Sequence, residues 1–435
     1  MTTAAMTALD EARAAGQNPL DYLRARGYVQ DVSDEAGLRR AFDAGVVTAY
    51  VGFDPTAPSL HAGHLMGIMM LAVLQRFGHR PIALGGGGTA LVGDPSGKTS
   101  TRTLVSEQDI RDNLARILPQ FGRHLDFEGG RFGGNPPALL LNNADWLLPL
   151  AYIPFLRDIG RFFSVNEMLA AETYRTRLEG GGLNFVEFNY RIVQAYDFLH
   201  LFRAEGCTLQ MGGSDQWGNI TAGVELIRKA DGGHAFALVC PLLTTASGQK
   251  MGKTEGNSLW LDPDLTSPFE FYQYWVNVDD ADVERLLRLY TFLPDAEIAG
   301  LTAANGVALR EAKRALALEA TALSHGRTEA ERAAAAARAL FGSGGAAGPD
   351  PDDPAIPTTE ISAAEVAAGI TLADLFVRAG LATSRGEARR LAEQGGLVVD
   401  DAKIENADAP WSPSGERVLL RAGKKRYRRV MVTAG

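Results

Sequence analysis

The chain has 435 residues and a formal net charge of −9, with a pI near 5.4. This charge argues against a protein that coats nucleic acid over its whole surface. The length suits two or three domains with a substantial core. Two cysteines, Cys207 and Cys240, cannot form a disulfide framework or a Cys-based zinc site. No apolar run approaches the roughly 20 residues of a membrane span, and we expect a cytoplasmic enzyme.

The first half of the chain alternates short apolar runs with longer helical patterns. The runs between about residues 47 and 245 are TAYVGF, PIALGG, ALLLNN, CTLQMGG and AFALVCPLL. Helical apolar spacing covers 60–77, 185–203 and 214–230, and Ser214-Asp215 would cap the last of these helices. This alternation predicts an α/β fold with a Rossmann-like parallel sheet, in which ligands bind beyond the strand ends. We assign residues 1–246 to this catalytic domain.

Three further segments follow. Residues 247–342 begin with a glycine-rich loop and then become helical and Ala-rich, without strand patterns. Residues 343–360 are rich in Gly, Pro and Asp and are predicted to be a linker. Residues 361–435 are expected to form a small α+β domain.

The last domain is basic. Its residues 371–435 carry 12 Lys+Arg against 8 Asp+Glu, a balance of +4 in a chain of −9. A solvated charged face is the usual explanation of a single cluster, but two clusters behind a linker favour RNA binding. The candidate RNA contacts are Arg385, Arg389, Arg390, Lys424, Lys425 and Arg426.

Two histidines, His61 and His64, stand three apart in SLHAGHLMG, after a predicted strand and turn. A metal site needs further ligands, which Ala62, Gly63 and Leu65 cannot supply. A pair of core histidines is the stronger alternative. Both, however, would lie in the first turn of a helix, where backbone N–H groups attract anions, and Gly63 would let a base or ribose approach the backbone. These residue types favour nucleotide binding.

Two glycine-rich segments offer cations for phosphate. GDPSGKTS, at residues 93–100, resembles a P-loop but is one residue short of the G-x-x-x-x-G-K spacing, which disfavours a Walker-type kinase. SGQKMGKTEGNS, at residues 247–258, places Lys250 and Lys253 around Met251. Taken alone, the second segment would pass as a surface loop with ordinary lysines.

Together these motifs resemble one family. HAGH is similar to the HIGH signature of class I aminoacyl-tRNA synthetases, and KMGKT to their KMSKS signature. YVGFDPT, GDPSGKTS, NNADW, YRIVQAYD and GGSDQWGN resemble segments of the bacterial tyrosyl-tRNA synthetases. TLADLFVRAGLATSRGEARRLAEQGGLVV resembles the small RNA-binding domain that they share with a small-subunit ribosomal protein. The resemblance covers nearly the whole chain; Ala62, Gly252 and Val51 depart from the usual residues without removing a charged group.

The resemblance implies activation of L-tyrosine by ATP to tyrosyl-adenylate and pyrophosphate, followed by transfer to the 3′ end of tRNA(Tyr). The attacking carboxylate is already ionised, so catalysis needs positioning and cations rather than a general base. ATP is expected to bring Mg²⁺ on its phosphates, with no metal held by the protein. By resemblance, Thr56 and His61 contact the terminal phosphate, and His64 lies deeper and supports the nucleotide and the helix end. The catalytic groups that hold the triphosphate are Lys98, Arg102, Lys250, Lys253 and Thr254.

Three polar residues bear on the choice of amino acid. Tyr190, Gln194 and Asp197 lie at i, i+4 and i+7 on one stripe of a predicted helix. Periodicity alone leaves open whether the stripe faces solvent or a pocket. The resemblance implies that Tyr190 and Gln194, with Asp94, hold the substrate ammonium. It also implies that Asp197 accepts from the phenol hydroxyl and that Tyr50 donates to it. Phenylalanine would leave both buried partners unsatisfied.

Further contacts to the adenylate are implied in the same way. Gly213 and Asp215 are expected at the ribose, Gln216 at the reacting carboxyl, and Asp54 and Asn143 near the adenylate. For Asp215 the alternative is capping of the following helix, and one residue could do both.

The resemblance also implies a homodimer and contacts between the helical domain and the anticodon arm. The closest rival is a tryptophan-specific relative, which is disfavoured because an indole N–H can only donate, whereas Asp197 and Tyr50 suit a hydroxyl. A nucleotidyltransferase would not explain Lys250 and Lys253 or the RNA-type tail. A non-enzymatic RNA scaffold would not need Lys98 or Asp215.

Overall fold

The computed structural model forms two compact units, made from residues 1–253, 258–262 and 278–316, and from 254–257, 263–277 and 317–435. The segment predicted as a helical domain, 247–342, contributes to both units. The described residues are 7–96, 106–171, 174–175, 178–179, 182–244, 251, 258–303, 307–341, 356–400, 402–423 and 426–433.

The first unit contains a six-stranded sheet. Its strands are β1 (Asp31–Val32), β2 (Thr48–Phe53), β3 (Arg80–Gly85), β4 (Leu139–Asn142), β5 (Cys207–Gly213) and β6 (Phe236–Cys240). The order across the sheet is β1-β6-β5-β2-β3-β4. All neighbours from β6 to β4 are parallel, whereas β1 runs antiparallel to β6. The five predicted apolar runs coincide with β2 to β6, except that β3 begins one residue earlier, at Arg80. This confirms the expected Rossmann-like parallel sheet.

The strand order reverses at β2. Tyr50 of β2 pairs with Ile82 of β3 on one side and with Gln210 of β5 on the other. The chain reaches β3 directly after β2, but it reaches β5 only after completing the far edge of the sheet at β4. Open parallel sheets bind ligands at such a reversal, just beyond the carboxyl ends of the strands.

Helices precede, separate and follow the strands along the chain. Those before the KMGKT segment are α1 (Ala8–Ala14), α2 (Pro19–Arg26), α3 (Glu35–Ala44), α4 (Leu65–Arg76), α5 (Thr89–Val92), α6 (Glu107–Ile117), α7 (Ala144–Leu147), α8 (Tyr152–Asp158), α9 (Val165–Ala170), α10 (Phe185–Glu205) and α11 (Trp217–Asp231). Those after it are α12 (Pro268–Val276), α13 (Val283–Tyr290), α14 (Asp295–Thr302), α15 (Val307–His325) and α16 (Arg327–Phe341). No helix among the described residues has the length and apolar character needed to cross a bilayer.

Helix α10 fixes the polar stripe predicted from the sequence. It starts at a capping box, in which the Asn184 side chain accepts from the Glu187 N–H at 2.8 Å and Glu187 accepts from the Asn184 N–H at 3.3 Å. It ends at Gly206, whose φ of +63° suits glycine and lets the chain turn into β5. Both ends of the helix are thus specified locally, and Tyr190 and Asp197 are buried.

The segments predicted as helices at 60–77 and 214–230 each begin with a short 3₁₀ turn. Ala62–His64 precedes α4, and Ser214–Gln216 precedes α11. The predicted N-cap pair Ser214-Asp215 is wrong, because no side chain caps either the turn or α11. Both residues lie inside the turn, where their backbone is already helical.

The second unit includes the C-terminal α+β fold. Its sheet has the order β7-β11-β10-β8-β9, with β7 parallel to β11 and the other neighbours antiparallel. A core around Phe376, Leu420 and Val430 confirms the expected small α+β domain. Its first strand begins at Thr358, inside the segment predicted as linker. The elements are β7 (Thr358–Ser362), α17 (Ala363–Ala367), α18 (Leu372–Arg378), α19 (Arg385–Glu393), β8 (Leu397–Val399), β9 (Ala402–Lys403), β10 (Arg417–Ala422) and β11 (Arg426–Thr433).

Candidate active site

A cavity of about 370 Å³ lies at the carboxyl ends of β2 and β5, where the strand order reverses. The lining includes many of the residues predicted from the sequence. These are Tyr50, Asp54, Thr56, Gly63, His64, Asp94, Tyr190, Gln194, Asp197, Gly213, Asp215 and Gln216. The structure therefore gathers side chains from β2, β5, α10 and both 3₁₀ turns around one space.

Asp197 lies at one end of this cavity, with both carboxylate oxygens engaged by donors. Oδ1 accepts from the Trp146 indole N–H at 2.7 Å, and Oδ2 accepts from the Asn143 amide at 2.8 Å. Each carboxylate oxygen has two acceptor positions and uses one, so each oxygen can still accept a hydrogen bond from a ligand. Asn143 also lines the cavity and orients Asp197 through its amide nitrogen, and its expected place near the adenylate stays a prediction.

The protonation of Asp197 depends on its enclosure. Burial raises the pKa of Asp197 to about 7, against the lowering effect of the hydrogen bonds from Asn143 and Trp146. The side chain is 2% exposed, and a charged carboxyl in such surroundings loses its hydration. The two donors therefore help to keep Asp197 ionised near neutral pH.

Tyr50 lines the same cavity and offers the complementary group. Its ring packs edge-on against Phe198, with centroids 5.4 Å apart. Its hydroxyl is buried and finds no hydrogen-bond partner among the described residues. Burial, and then the charge of Asp197, raise the pKa of Tyr50 well above its usual value, so this hydroxyl stays protonated. A buried donor without an acceptor is costly, and a ligand oxygen would satisfy it.

The groups expected at the substrate ammonium also share the cavity. Asp94 accepts from the Gln216 amide at 2.7 Å and from the Ser96 N–H at 2.9 Å, which fixes its carboxylate. The Tyr190 hydroxyl lies 3.4 Å from Asp54. These carboxylates supply the negative charge that an ammonium group requires.

The two histidines of HAGH cap their own turn reciprocally. His61 Nδ1 accepts from the Gly63 N–H at 3.0 Å, and His64 Nδ1 accepts from the His61 N–H at 3.1 Å. Each neutral ring must therefore carry its proton on Nε2. Burial and the neighbouring His61 lower the pKa of His64 to about 3, so His64 is neutral at pH 7. The rings stack with centroids 3.9 Å apart.

This capping changes the expected mode of anion binding. The backbone N–H groups of the turn were expected to face an anion, but those of His61 and Gly63 are used by the imidazoles. Those of Ala62 and His64 donate to the carbonyls of Leu259 and His61, each at 2.8 Å. The ring nitrogens, rather than the backbone, are the donors that this turn can offer. His64 lines the cavity, and His61 stacks behind it.

The HAGH turn is paired with the segment that follows KMGKT. Besides the bond from Ala62 to Leu259, the Leu261 N–H donates to the Leu60 carbonyl at 2.8 Å, and His61 and Trp260 form an antiparallel bridge. Backbone hydrogen bonds therefore join the HAGH turn to Leu259–Leu261, the segment just after the second signature motif, although the two segments lie far apart in the sequence.

Several predicted residues lie outside the described residues: Lys98, Arg102, Lys250, Lys253, Thr254, Lys424 and Lys425. Within the described part of the chain, no group of three or more His, Cys, Asp or Glu side chains could hold a metal ion.

The four candidate RNA contacts of the tail that the structure describes are exposed, and three of them are paired. Arg389 forms an ion pair with Asp408 at 2.8 Å, and Arg385 pairs with Asp374. Arg426 lies 3.9 Å from Glu387, while the exposed Arg390 also lies on α19. Exposed ion pairs are weak, so these arginines can exchange a carboxylate for a phosphate.

Sequence reasoning missed three residues at the site, two that line the cavity and one that supports it from behind Asp197. Trp146 holds Asp197, and the Thr89 hydroxyl donates to Asp54 at 2.9 Å. Gln210 lines the cavity from β5 with its amide oxygen buried and unpaired among the described residues. Of the three, only Trp146 could have been identified from the sequence, because it belongs to the NNADW segment that resembles the family.

The sequence matches two family models. Residues 43–342 match the model for class I tRNA synthetases (W and Y), and residues 354–430 match the SYY-like C-terminal domain of tyrosine–tRNA ligases. A tyrosine–tRNA ligase from Desulfosudis oleivorans is 48% identical, with 96% of this chain and 99% of that one covered.

Solved structures agree with these matches. A C-terminally truncated mitochondrial tyrosyl-tRNA synthetase from Aspergillus nidulans has a TM-score of 0.68 and 33% identity, covering 77% of this chain and 97% of that one. A tryptophanyl-tRNA synthetase from Encephalitozoon cuniculi has a TM-score of 0.51 at 14% identity, covering 74% of this chain and 90% of its own, and shares the fold alone. The chain belongs to the class I tRNA synthetases for tryptophan and tyrosine, and within them to the tyrosine–tRNA ligases.

Proposed function

We propose that the cavity binds L-tyrosine with its phenol group at Tyr50 and Asp197 and its ammonium group at Asp94, Tyr190 and Gln194. The observation that carries this proposal is the pairing of one buried donor that lacks an acceptor with one buried carboxylate that has acceptor capacity left. A phenol hydroxyl donates one hydrogen bond and accepts another, so it satisfies both groups at once.

The dimensions of the stripe on α10 support this placement. Tyr190 and Asp197 are seven residues apart, which corresponds to about 10 Å along a helix. An extended tyrosine lying along the helix would reach one group with its ammonium and the other with its hydroxyl. Gln194 lies between them and lines the same cavity.

The chemical step joins the tyrosine carboxylate to the α-phosphate of ATP. An oxygen of the carboxylate forms the new bond to phosphorus, and the bond to the bridging oxygen of pyrophosphate breaks. The nucleophile is ionised at neutral pH, so the protein acts by positioning and by stabilising the charge on the leaving group. Thr56, in the loop after β2, and His61 and His64, at the HAGH turn, would act at the phosphates and the nucleotide. Gly63, Gly213 and Asp215 would contact the nucleoside.

The cations that the family resemblance implies complete the scheme. Lys98, Arg102, Lys250, Lys253 and Thr254 would hold the triphosphate, and Mg²⁺ would arrive on the ATP phosphates as part of the substrate. His64 would donate from Nε2, because its Nδ1 already accepts from the backbone. Tyrosine is then transferred to the 3′ end of tRNA(Tyr), and we place this reaction in the cytoplasm, where charged tRNA is used.

Tryptophan is the alternative amino acid, since tryptophan enzymes share the fold. An indole N–H could donate to Asp197, but it offers no acceptor to the Tyr50 hydroxyl. ATP–pyrophosphate exchange with each of the twenty amino acids tests the proposal. We expect exchange with tyrosine and little with phenylalanine or tryptophan. Equal exchange with phenylalanine would show that the roles given to Tyr50 and Asp197 are wrong.

We also propose that the C-terminal domain, from residue 361, binds tRNA through the exposed cations Arg385, Arg389, Arg390 and Arg426, together with Lys424 and Lys425. Deleting residues 343–435 should leave exchange intact and reduce aminoacylation of tRNA, because the residues that line the cavity precede this segment. Loss of both activities would instead indicate that the tail supports the catalytic fold.

A homodimer is the proposed assembly. Of twelve large apolar side chains that the described residues leave exposed, nine lie between residues 148 and 186, on or beside α8, α9 and the start of α10. Ile153 is 70% exposed and Phe185 is 65% exposed. Such concentration of exposed apolar side chains is typical of an interface, and identical subunits usually associate through one shared patch.

The association state is tested by placing a charge in that region. Ile153→Asp should shift the protein from dimer to monomer in analytical ultracentrifugation. The matched control is Val46→Asp, which alters a side chain that is 64% exposed and lies outside the region. A wild-type protein that sediments as a monomer would contradict the proposal.

A further inference from the structure

Trp146, which donates to Asp197, lies on a one-turn helix and packs against a buried cluster that includes Tyr50 and Phe198. Helix α7 spans only Ala144–Leu147, and none of its residues is buried. Two residues of α10 contact the indole. Its N–H donates to Asp197 at 2.7 Å, and its ring stacks on the His200 imidazole with centroids 4.3 Å apart and planes 13° apart.

Asp197 and His200 lie three residues apart, so they project from neighbouring positions on one face of α10. The first fixes the edge of the indole and the second fixes its plane. The stack adds a direct restraint on the ring plane that the hydrogen bond does not give, since a hydrogen bond to one edge leaves the ring free to tilt. Burial lowers the pKa of His200, so the imidazole is neutral at pH 7 and stacks as an aromatic ring.

From this geometry we infer that His200 is a positioning residue for amino-acid selection: it holds Trp146 in the plane in which the indole N–H meets Asp197. This inference rests on the proposed function, in which Asp197 accepts from the substrate hydroxyl. His200 touches no substrate in this scheme. Its effect passes through Trp146 to Asp197, and it concerns only substrates that carry a hydroxyl at the ring tip.

A purely structural stack makes a different prediction. If His200 only stabilised the fold, its removal would lower activity with every amino acid alike. If it orients Trp146, its removal weakens the acceptor for tyrosine and leaves phenylalanine, which has no hydroxyl, unaffected. The ratio of the two kcat/KM values therefore separates the two roles.

The test measures this ratio by ATP–pyrophosphate exchange in the full-length protein. His200→Ala should lower the tyrosine-to-phenylalanine ratio about 3- to 10-fold, which is the range for one aromatic contact. His200→Phe keeps a stacking ring and should retain the wild-type ratio. The control His234→Ala removes a histidine that also packs on an aromatic ring, Phe236 at 4.7 Å, but lies away from the cavity.

A second comparison tests the route of the effect. Trp146→Phe keeps the ring and removes the N–H, so in that background His200→Ala should cause no further loss of the ratio. Losses that multiply, or a wild-type ratio in His200→Ala, would overturn the inference while the proposed function stands. A wild-type protein without tyrosine-dependent exchange would overturn both. Should His200→Ala not fold, His200→Gln, which also lacks a ring, takes its place.

Discussion

Replacing Asp197 by asparagine removes the charge of the proposed hydroxyl acceptor and keeps its shape. Both oxygens of Asp197 accept from donors, Trp146 at 2.7 Å and Asn143 at 2.8 Å. An amide has only one oxygen, so its nitrogen must face one of these two donors. Asp197→Asn therefore weakens substrate binding and also disrupts the support of the side chain.

The expected loss follows from the hydrogen bond to a charged acceptor, which is worth about 1.5–3 kcal/mol. That energy corresponds to a fall of about 10- to 150-fold in kcat/KM for tyrosine. Phenylalanine has no hydroxyl to lose, so its kcat/KM should change little. The ratio of the two should fall by nearly the whole factor.

The same substitution should stabilise the folded protein at alkaline pH, although it lowers activity with tyrosine. The native state keeps the Asp197 proton up to about pH 7, whereas the unfolded chain releases it near 3.8, so stability falls as the pH rises through that interval. At pH 8 the buried charge costs the fold about 4 kcal/mol. In the variant, the amide NH₂ group faces the donor of Trp146 or Asn143, and this unfavourable contact costs about 1–3 kcal/mol. Asp197→Asn should therefore be more stable at pH 8 by about 1–3 kcal/mol.

Exchange kinetics with both amino acids and urea unfolding at pH 8 measure the two effects. Asp145→Asn is the matched control, because Asp145 is exposed and adjoins Trp146 in the chain. A tyrosine kcat/KM within twofold of wild type would refute the proposed role of Asp197. A loss of stability at pH 8 equal to that of a cavity-forming variant would refute the account of its burial.

Three further results are expected. Below pH 7 Asp197 gains a proton, so the tyrosine Kd from calorimetry should rise up to about tenfold per pH unit; a flat profile from pH 8 to 6 would contradict this. Tyr50→Phe should lower kcat/KM for tyrosine about 2- to 12-fold and leave phenylalanine unchanged, and equal losses for both would exclude a contact to the hydroxyl. Burial lowers the pKa of His79 to about 4, so the stability it contributes is complete above pH 6.5 and declines toward pH 4. Urea unfolding should therefore lose about 2 kcal/mol between pH 7.5 and 5, and His79→Gln should remove this part of the slope.

The sequence patterns located the sheet and one edge of the cavity, because both depend on local periodicity. Apolar runs identified β2 to β6, and the spacing of Tyr190, Gln194 and Asp197 placed them on one side of α10. Strand direction then brought the ends of β2 and β5 together, since parallel strands end at the same edge. These features are specified by residues close together in the chain or by a general rule of topology.

The contacts that tune the site could not be predicted in this way. Asn143 and Asp197 are 54 residues apart, and no spacing rule joins α7 to α10. The reciprocal capping by His61 and His64 was missed for another reason. Imidazoles rarely cap helices, so the backbone N–H groups were assigned to an anion. The pairing of Arg385 with Asp374 likewise depends on the fold of the tail.

The ladder between Leu60–Ala62 and Leu259–Leu261 limits how this enzyme can be recombined with its relatives. A chimera that imports only the KMGKT loop would join a foreign loop to Leu259–Leu261, whose pairing with Leu60–Ala62 has the register of this chain. The crossover points should therefore fall after Asp262, so that Trp260 and its neighbours travel with the loop. A donor segment of different length before Leu259 would otherwise displace the HAGH turn itself.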